Sequence, residues 1–169
     1  MPTWRSTQTL AKYVMRLELL GAHRHFISRI ASLLHDEWGS LPPWASLSEI
    51  EKRFTALADA ETDIFTLVAL SAEDGFLGTA SVKLHELENH PDKQHWLGEV
   101  FIPRSLRGQG IGSTLIRECL CQSAAHGIKV LHLYTPDQQA LYERFGWREI
   151  ETTTVNGEHV SIMASKTSV

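Results

Sequence analysis

Apolar positions recur along this chain in two rhythms. A period near 3.6 marks helices, and alternation or short apolar runs mark strands. The run YVMRLEL predicts a strand, and HRHFISRIASLLHDEW follows with Phe26, Ile27, Ile30, Leu33 and Leu34 on one helical stripe, ending near Gly39. In SLSEIEKRFTALADA, Ser46 with Glu49, or Ser48 with Glu51, supplies a capping box, and Ile50, Phe54 and Leu57 supply a buried face. DIFTLVAL and FLGTASVKLH read as two strands joined at Asp74-Gly75, a turn of the hairpin kind, so they pair antiparallel. A polar loop then feeds HWLGEVFI, a strand closed by Pro103, after which Leu115, Ile116, Cys119 and Leu120 return to helical spacing. The remainder reads as strand KVLHLY, a short helix around DQQALYERF, strand REIETTTV, an Asn156-Gly157 turn and strand EHVSIMAS. A strand-helix-strand unit across 95–134 with hairpins on either side predicts an α/β (α+β) fold. Its mixed, mostly antiparallel sheet has about seven strands and is flanked by helices.

Composition narrows the picture. With 169 residues, 43% of them hydrophobic and 21% charged, the chain suits one domain over 9–169, preceded by a loose, polar segment over 1–8. A net charge of −4 offers no electrostatic footprint for nucleic acid. The early apolar stretch AKYVMRLELLGA is interrupted by Lys12, Arg16 and Glu18, which fits neither a signal peptide nor a membrane span and predicts a soluble, cytoplasmic protein. Cys119 and Cys121 lie two apart on a predicted helix, facing different sides, so they read as packing residues. Nine histidines raise the question of a metal, but the five-residue steps of His85, His90 and His95 match no zinc pattern, and no metal is expected.

The chemistry concentrates in RSLRGQGIGSTLI, residues 104–116, where a strand hands over to a helix through three glycines. Such a junction offers unpaired backbone N–H groups and the positive end of a helix dipole, a ready site for phosphate. The nucleotide P-loop fails here, because counting from Gly108 puts Ser113 where it needs glycine and Thr114 where it needs lysine. The dinucleotide fingerprint fails at Ser113 or, shifted by two, at Leu115.

Arg107-Gly108-Gln109-Gly110-Ile111-Gly112 instead resembles the Arg/Gln-x-x-Gly-x-Gly/Ala signature of the GNAT superfamily of acetyl-CoA-dependent N-acetyltransferases. A second block, TPDQQALYERFGW, resembles that family's Asn-x-x-Ala-x-x-Leu-Tyr-x-x-x-Gly-Phe segment at Ala140, Leu141, Tyr142, Gly146 and, with Trp for Phe, Trp147. Asp137 departs from it where many members carry an Asn that touches the cofactor; an ionised Asp accepts a hydrogen bond but donates none. The segment LHLYTPDQQALYERFGW is also similar to the branch containing the animal enzyme that acetylates the amino terminus of actin.

The resemblance implies a GNAT-like fold and acetyl transfer from acetyl-CoA to a primary amine by direct attack. The alternative is a non-catalytic acyl-CoA-binding or sensory module on the same fold. It implies that Gln109, Gly110, Gly112 and Ser113, within the Arg107-Gly108 motif, hold the pyrophosphate, and that Phe101 and Ile102 meet the pantetheine arm and lie where the thioester carbonyl is polarised. It also assigns Tyr142, whose ordinary pKa near 10 keeps it protonated, as the acid for the leaving sulfur. Glu99, a carboxylate in the middle of HWLGEVFI, reads either as the base lining a cleft or as a solvated or salt-bridged strand residue, with His132 a rival base. Trp38, Trp44, Asp36 and Glu37 fall in the region that borders the family's acceptor site; Trp38 reads as packing and Trp44 stays open. The acceptor is a small-molecule or peptide amine, and homodimers are common among such enzymes.

Overall fold

A computed structural model describes residues 4–9, 14–61 and 63–168. Among these residues eight strands form one open sheet: β1 (Arg5–Thr9), β2 (Val14–Leu19), β3 (Phe65–Ser71), β4 (Phe76–Leu84), β5 (His95–Phe101), β6 (Val130–Thr135), β7 (Arg148–Val155) and β8 (Glu158–Lys166). Their order is β1-β2-β3-β4-β5-β6-β8-β7, antiparallel at every step except β5–β6. The eighth strand beyond the expected seven is β1, which overlaps the segment 1–8 read as loose; of that segment 1–3 lie outside the described residues, as does Tyr13 of the strand expected from YVMRLEL. RSTQT has no apolar residue to announce a strand, but an edge strand needs only one partner, and β2 supplies it from Thr9↔Val14 to Arg5↔Glu18.

Among the described residues four α-helices cover the sheet: α1 (Ile27–Trp38), α2 (Leu47–Asp59), α3 (Ile111–Ala125) and α4 (Gln139–Glu143). Of the two capping boxes weighed for α2, Ser46 is the N-cap, its side chain accepting from the Glu49 N–H at 3.4 Å. The two faces of the sheet carry separate cores. Leu67, Ala69, Ala80, Val82, Leu97, Leu131, Leu133, Trp147 and Met163 meet Ile111, Leu115 and Cys119 of α3 on one side. Val68, Leu70, Phe76 and Phe101 meet Ile30, Leu34, Ile50 and Phe54 of α1 and α2 on the other. Burying a side chain such as Phe54 contributes about 2–3 kcal/mol against the chain entropy lost on folding. Among the described residues no helix is long and apolar enough to cross a membrane.

The β5–α3–β6 crossover fixes where a ligand can enter. Parallel β5 and β6 share a single register pair, Trp96↔His132, although β5 runs on to Phe101 beside β4 and β6 runs on to Thr135 beside β8. Past that pair the strands part, leaving a gap in the middle of the sheet whose β5 side ends at the glycine turn. Just beyond the parting, β5 is irregular. The β4 register slips between Thr79 and Ser81, and Glu99 adopts a left-handed φ of 54°, the mark of a bulge.

Candidate active site

The glycine turn joins β5 to α3 through a short 3-10 turn over Arg104–Leu106. Gly108 and Gly110 take φ of 77° and 89°, a region open to glycine at little cost and strained for other residues. Gly110 is the N-cap of α3 and offers no side-chain cap, while its carbonyl receives the Thr114 N–H at 3.1 Å and the Thr114 hydroxyl at 2.8 Å. Ile111, Gly112 and Ser113 therefore present first-turn N–H groups with no intrahelical acceptor, and no acidic residue sits in that turn. A Cβ added to Gly108 would meet nothing within 4 Å, so the turn opens onto free space. Uncapped donors, left-handed glycines and the positive helix end fit a diphosphate.

Arg107 is engaged from behind the turn. Its Nε donates to the Ile102 carbonyl at 2.7 Å, its Nη2 donates to Glu37 Oε1 at 3.1 Å, and its guanidinium lies 5.4 Å from the Phe101 ring centre. Arg104 Nε reaches the other Glu37 oxygen at 3.4 Å. Burial alone would raise the Glu37 carboxyl, but the Arg107 hydrogen bond and the two arginine charges outweigh it and hold it below the usual range. Glu37 thus ties the end of α1 to the glycine turn. Beside it Trp38 packs edge-on to Phe101 with 5.9 Å between ring centres, as expected for a packing residue, and Trp44 lies 5.1 Å from Trp38 with Arg53 stacked on it at 4.7 Å.

Phe101 is buried, and Ile102 is half-buried against the α3 core. Across the gap, Asp137 lies exposed in the turn after β6, its N–H and that of Gln138 directed at the Thr135 hydroxyl at 3.4 and 3.0 Å. Ala140 and Tyr142 sit on α4. Tyr142 packs edge-on to Trp147 with 5.8 Å between ring centres, against the core that includes Cys119 of α3. Burial pushes its phenol up to about 12. The glycine turn follows the end of β5 and the β6–α4 corner follows the end of β6, the two strands that share only the Trp96↔His132 pair.

Glu99 is salt-bridged as well as deeply placed. Its side chain is 1% exposed; Oε1 accepts from Lys83 Nζ at 2.6 Å, and Oε2 is buried with no hydrogen-bond partner. Lys83 also meets Glu86 at 2.6 Å. Burial pulls the Lys83 ammonium down, but the charges of Glu99 and Glu86 win and raise it. Gly98 makes the arrangement feasible, since a Cβ there would lie 2.9 Å from Lys83 Cε. Tyr134 of β6 faces the same group, its phenol raised by burial and by the charge of Glu86, partly offset by Lys83. His132 packs on Trp96 with 5.4 Å between ring centres, and burial lowers its imidazole.

Lys83, Glu86 and Tyr134 join the site without having been singled out in the sequence, and Glu37, read there as bordering the acceptor site, is found on Arg107 and Arg104. Lys83 and Tyr134 were readable there only as polar members of otherwise apolar strands. The histidines once weighed for a metal are dispersed: His95 pairs with Asp63, and His90 lies 3.2 Å from Glu151. Among the described residues no group of three or more His, Cys, Asp or Glu is placed to hold a metal ion.

Residues 63–149 match the family model described as an acetyltransferase (GNAT) domain. No curated protein matches the sequence. Among solved structures, aminoglycoside 6'-acetyltransferase type Ii is similar at TM-score 0.70 and 14% identity, with 98% of each chain covered. Spermidine N-acetyltransferase from Vibrio cholerae, solved with CoA and spermine, gives a TM-score of 0.68 at 20% identity over 90% of this chain and 95% of that one. An aminoglycoside 6'-N-acetyltransferase complexed with coenzyme A gives 0.66 at 15% identity over 86% of this chain and 92% of that one. At these identities the likeness is one of fold.

Proposed function

Because the chain belongs to the GNAT acetyltransferases, we propose that it transfers an acetyl group from acetyl-CoA to a primary amine by direct attack of that amine. The observation that carries this reading is the start of α3 at Gly110, which has no side-chain cap over Ile111, Gly112 and Ser113, following the strand that parts from β6. In this reading the main-chain donors from Gln109 to Ser113 hold the pyrophosphate. Phe101 and Ile102 line the pantetheine path, with Asp137 and Ala140 at its far wall. Bound acetyl-CoA supplies an acetyl thioester. Main-chain N–H groups near Phe101 and Ile102 polarise its carbonyl, a service that needs no side chain.

Glu99 takes the proton from the acceptor amine. A buried carboxylate oxygen without a hydrogen-bond partner costs about 1–3 kcal/mol, and an amine N–H at Oε2 relieves that cost. Lys83 pins Oε1, so Oε2 has one orientation to offer. Tyr142 donates its proton to the departing sulfur, a role supported by a phenol that stays protonated to about 12. A covalent acetyl-enzyme has little support, because burial drives the Cys119 thiol far above neutrality, away from the thiolate form. The names of the solved structures, for spermidine and for aminoglycosides, support a small-molecule amine as acceptor.

The test is thiol release from acetyl-CoA across a panel of small amines, with the acetylated product followed by mass spectrometry. Matched thiol and product is the expected result. Binding of acetyl-CoA with no thiol released for any amine would overturn the proposal.

A further inference from the structure

One constellation at the gap is used only in part by acetyl transfer. Lys83 Nζ lies 2.6 Å from Glu86 and 2.6 Å from Glu99, so two carboxylates converge on one ammonium. The side chains of Lys83, Glu86 and Glu99 are 15%, 24% and 1% exposed, so the notch is largely closed to water. Lys83 enters it across Gly98, where a Cβ would crowd Cε at 2.9 Å and Nζ at 3.4 Å. On the other oxygen of the same Glu99 carboxylate, Oε2 stands without a partner. Lys83 and an amine hydrogen-bonded to Oε2 would thus sit on the two oxygens of one carboxylate, so that their nitrogens would lie roughly as far apart as the two of a short diamine.

We propose that Lys83 is a specificity-determining residue: its ammonium fills the notch between Glu86 and Glu99 that would otherwise seat the second cationic centre of a short diamine, and so biases the protein toward acceptors with a single amine. The proposal rests on the acetyl-transfer reading, with the acceptor amine at Glu99 Oε2. Two carboxylates sharing a low-dielectric pocket repel unless a cation or a proton lies between them. The protein's own lysine meets that requirement permanently, held by two short contacts. A diamine would have to displace a tethered ammonium, whereas a monoamine needs only Oε2. Shortening Lys83 to alanine removes the cation and opens the channel its methylenes occupied, leaving an ammonium-shaped vacancy beside the reacting one.

The test compares wild type, Lys83→Ala and Lys83→Ala/Glu86→Gln with propylamine and 1,3-diaminopropane, by turnover and by calorimetry of each amine against the CoA-loaded protein. Lys83→Ala is expected to raise the diamine-to-monoamine ratio of kcat/KM at least tenfold and to bind the diamine measurably where wild type does not. The double variant is expected to lose that gain. An unchanged ratio and unchanged diamine binding in Lys83→Ala would overturn the proposal. If Lys83→Ala is too unstable for kinetics, its melting temperature decides, rising with the diamine but not with propylamine if the notch takes a cation and with neither if it does not. If wild type acetylates no amine, the acetyl-transfer reading fails, while the calorimetric comparison still decides the role of Lys83.

Discussion

Replacing Gly108 separates backbone strain from ligand contact, because the two costs fall on different measurements. Gly108 holds a φ of 77°, and a Cβ there would meet nothing within 4 Å. Gly108→Ala therefore carries no clash in the free protein, only the cost of a left-handed L-residue, about 1–2 kcal/mol. For a chain of this length each kcal/mol moves Tm by about 2–4 °C, so the expected drop is about 2–8 °C. Gly108→Asn recovers most of it, since asparagine tolerates this region. Affinity for acetyl-CoA follows a different rule. If the diphosphate lies against this stretch of main chain, either side chain holds it off, and losing one charge-assisted hydrogen bond costs about 1.5–3 kcal/mol. That is about a 10- to 100-fold weaker Kd for both variants. Melting curves and titration calorimetry with acetyl-CoA read the two effects separately. If Gly108→Asn and Gly108→Ala bind acetyl-CoA as tightly as wild type, the diphosphate does not use this turn and the proposed donor site is wrong.

Tyr142→Phe is expected to lower kcat about 100-fold with Tm nearly unchanged, and the wild-type pH–rate profile is expected to show no phenol limb below about 12; a variant as fast as wild type removes Tyr142 from proton transfer. Glu37 has a depressed carboxyl, so its contribution to stability is present above the ordinary carboxylate range and is lost as pH falls through the lowered folded value. Glu37→Gln should accordingly flatten the acid side of a Tm-versus-pH curve, and an identical acid slope in variant and wild type would contradict the pairing with Arg107 and Arg104. Trp147 is fully buried with an indole N–H that finds no acceptor. Phenylalanine there loses area but also an unsatisfied donor, which predicts a change within about 1 kcal/mol, whereas alanine costs about 3–5 kcal/mol; denaturant unfolding of the pair distinguishes them.

The glycine turn that opens α3 was legible because its signal is local. The glycines, the strand before them and the helical spacing after them lie within one stretch, and the same holds for the Asp74 and Asn156 turns, whose φ of 64° and 50° match the residues expected there. β1 was not legible, because an edge strand of polar residues has no buried face to impose a pattern. The fate of Glu99 was beyond local reasoning for another reason. A bulge adds one residue to a strand and so resets which side chain meets which neighbour, and its presence depends on the register with β4. The residue type and its place in the strand left Glu99 open between a cleft-lining base and a solvated or salt-bridged strand residue; that it is buried and that its partner is Lys83, 16 positions away, follows only from that register. Arg107 was read as part of the cofactor motif, whereas the engagement of its guanidinium with Glu37, 70 positions earlier, reflects how α1 docks on the turn.

The single backbone pairing between β5 and β6 makes the molecule two panels, β1 to β5 and β6 to β8, held along their seam by side chains more than by main-chain bonds. A slender arm lying in the seam would mend it from within, donating and accepting where a neighbouring strand would have done so. Deuterium uptake at amides from Leu97 to Phe101 and from Leu133 to Thr135 would then report cargo directly: quick to exchange in the empty molecule, slow once the arm is in place, with the outer strands indifferent.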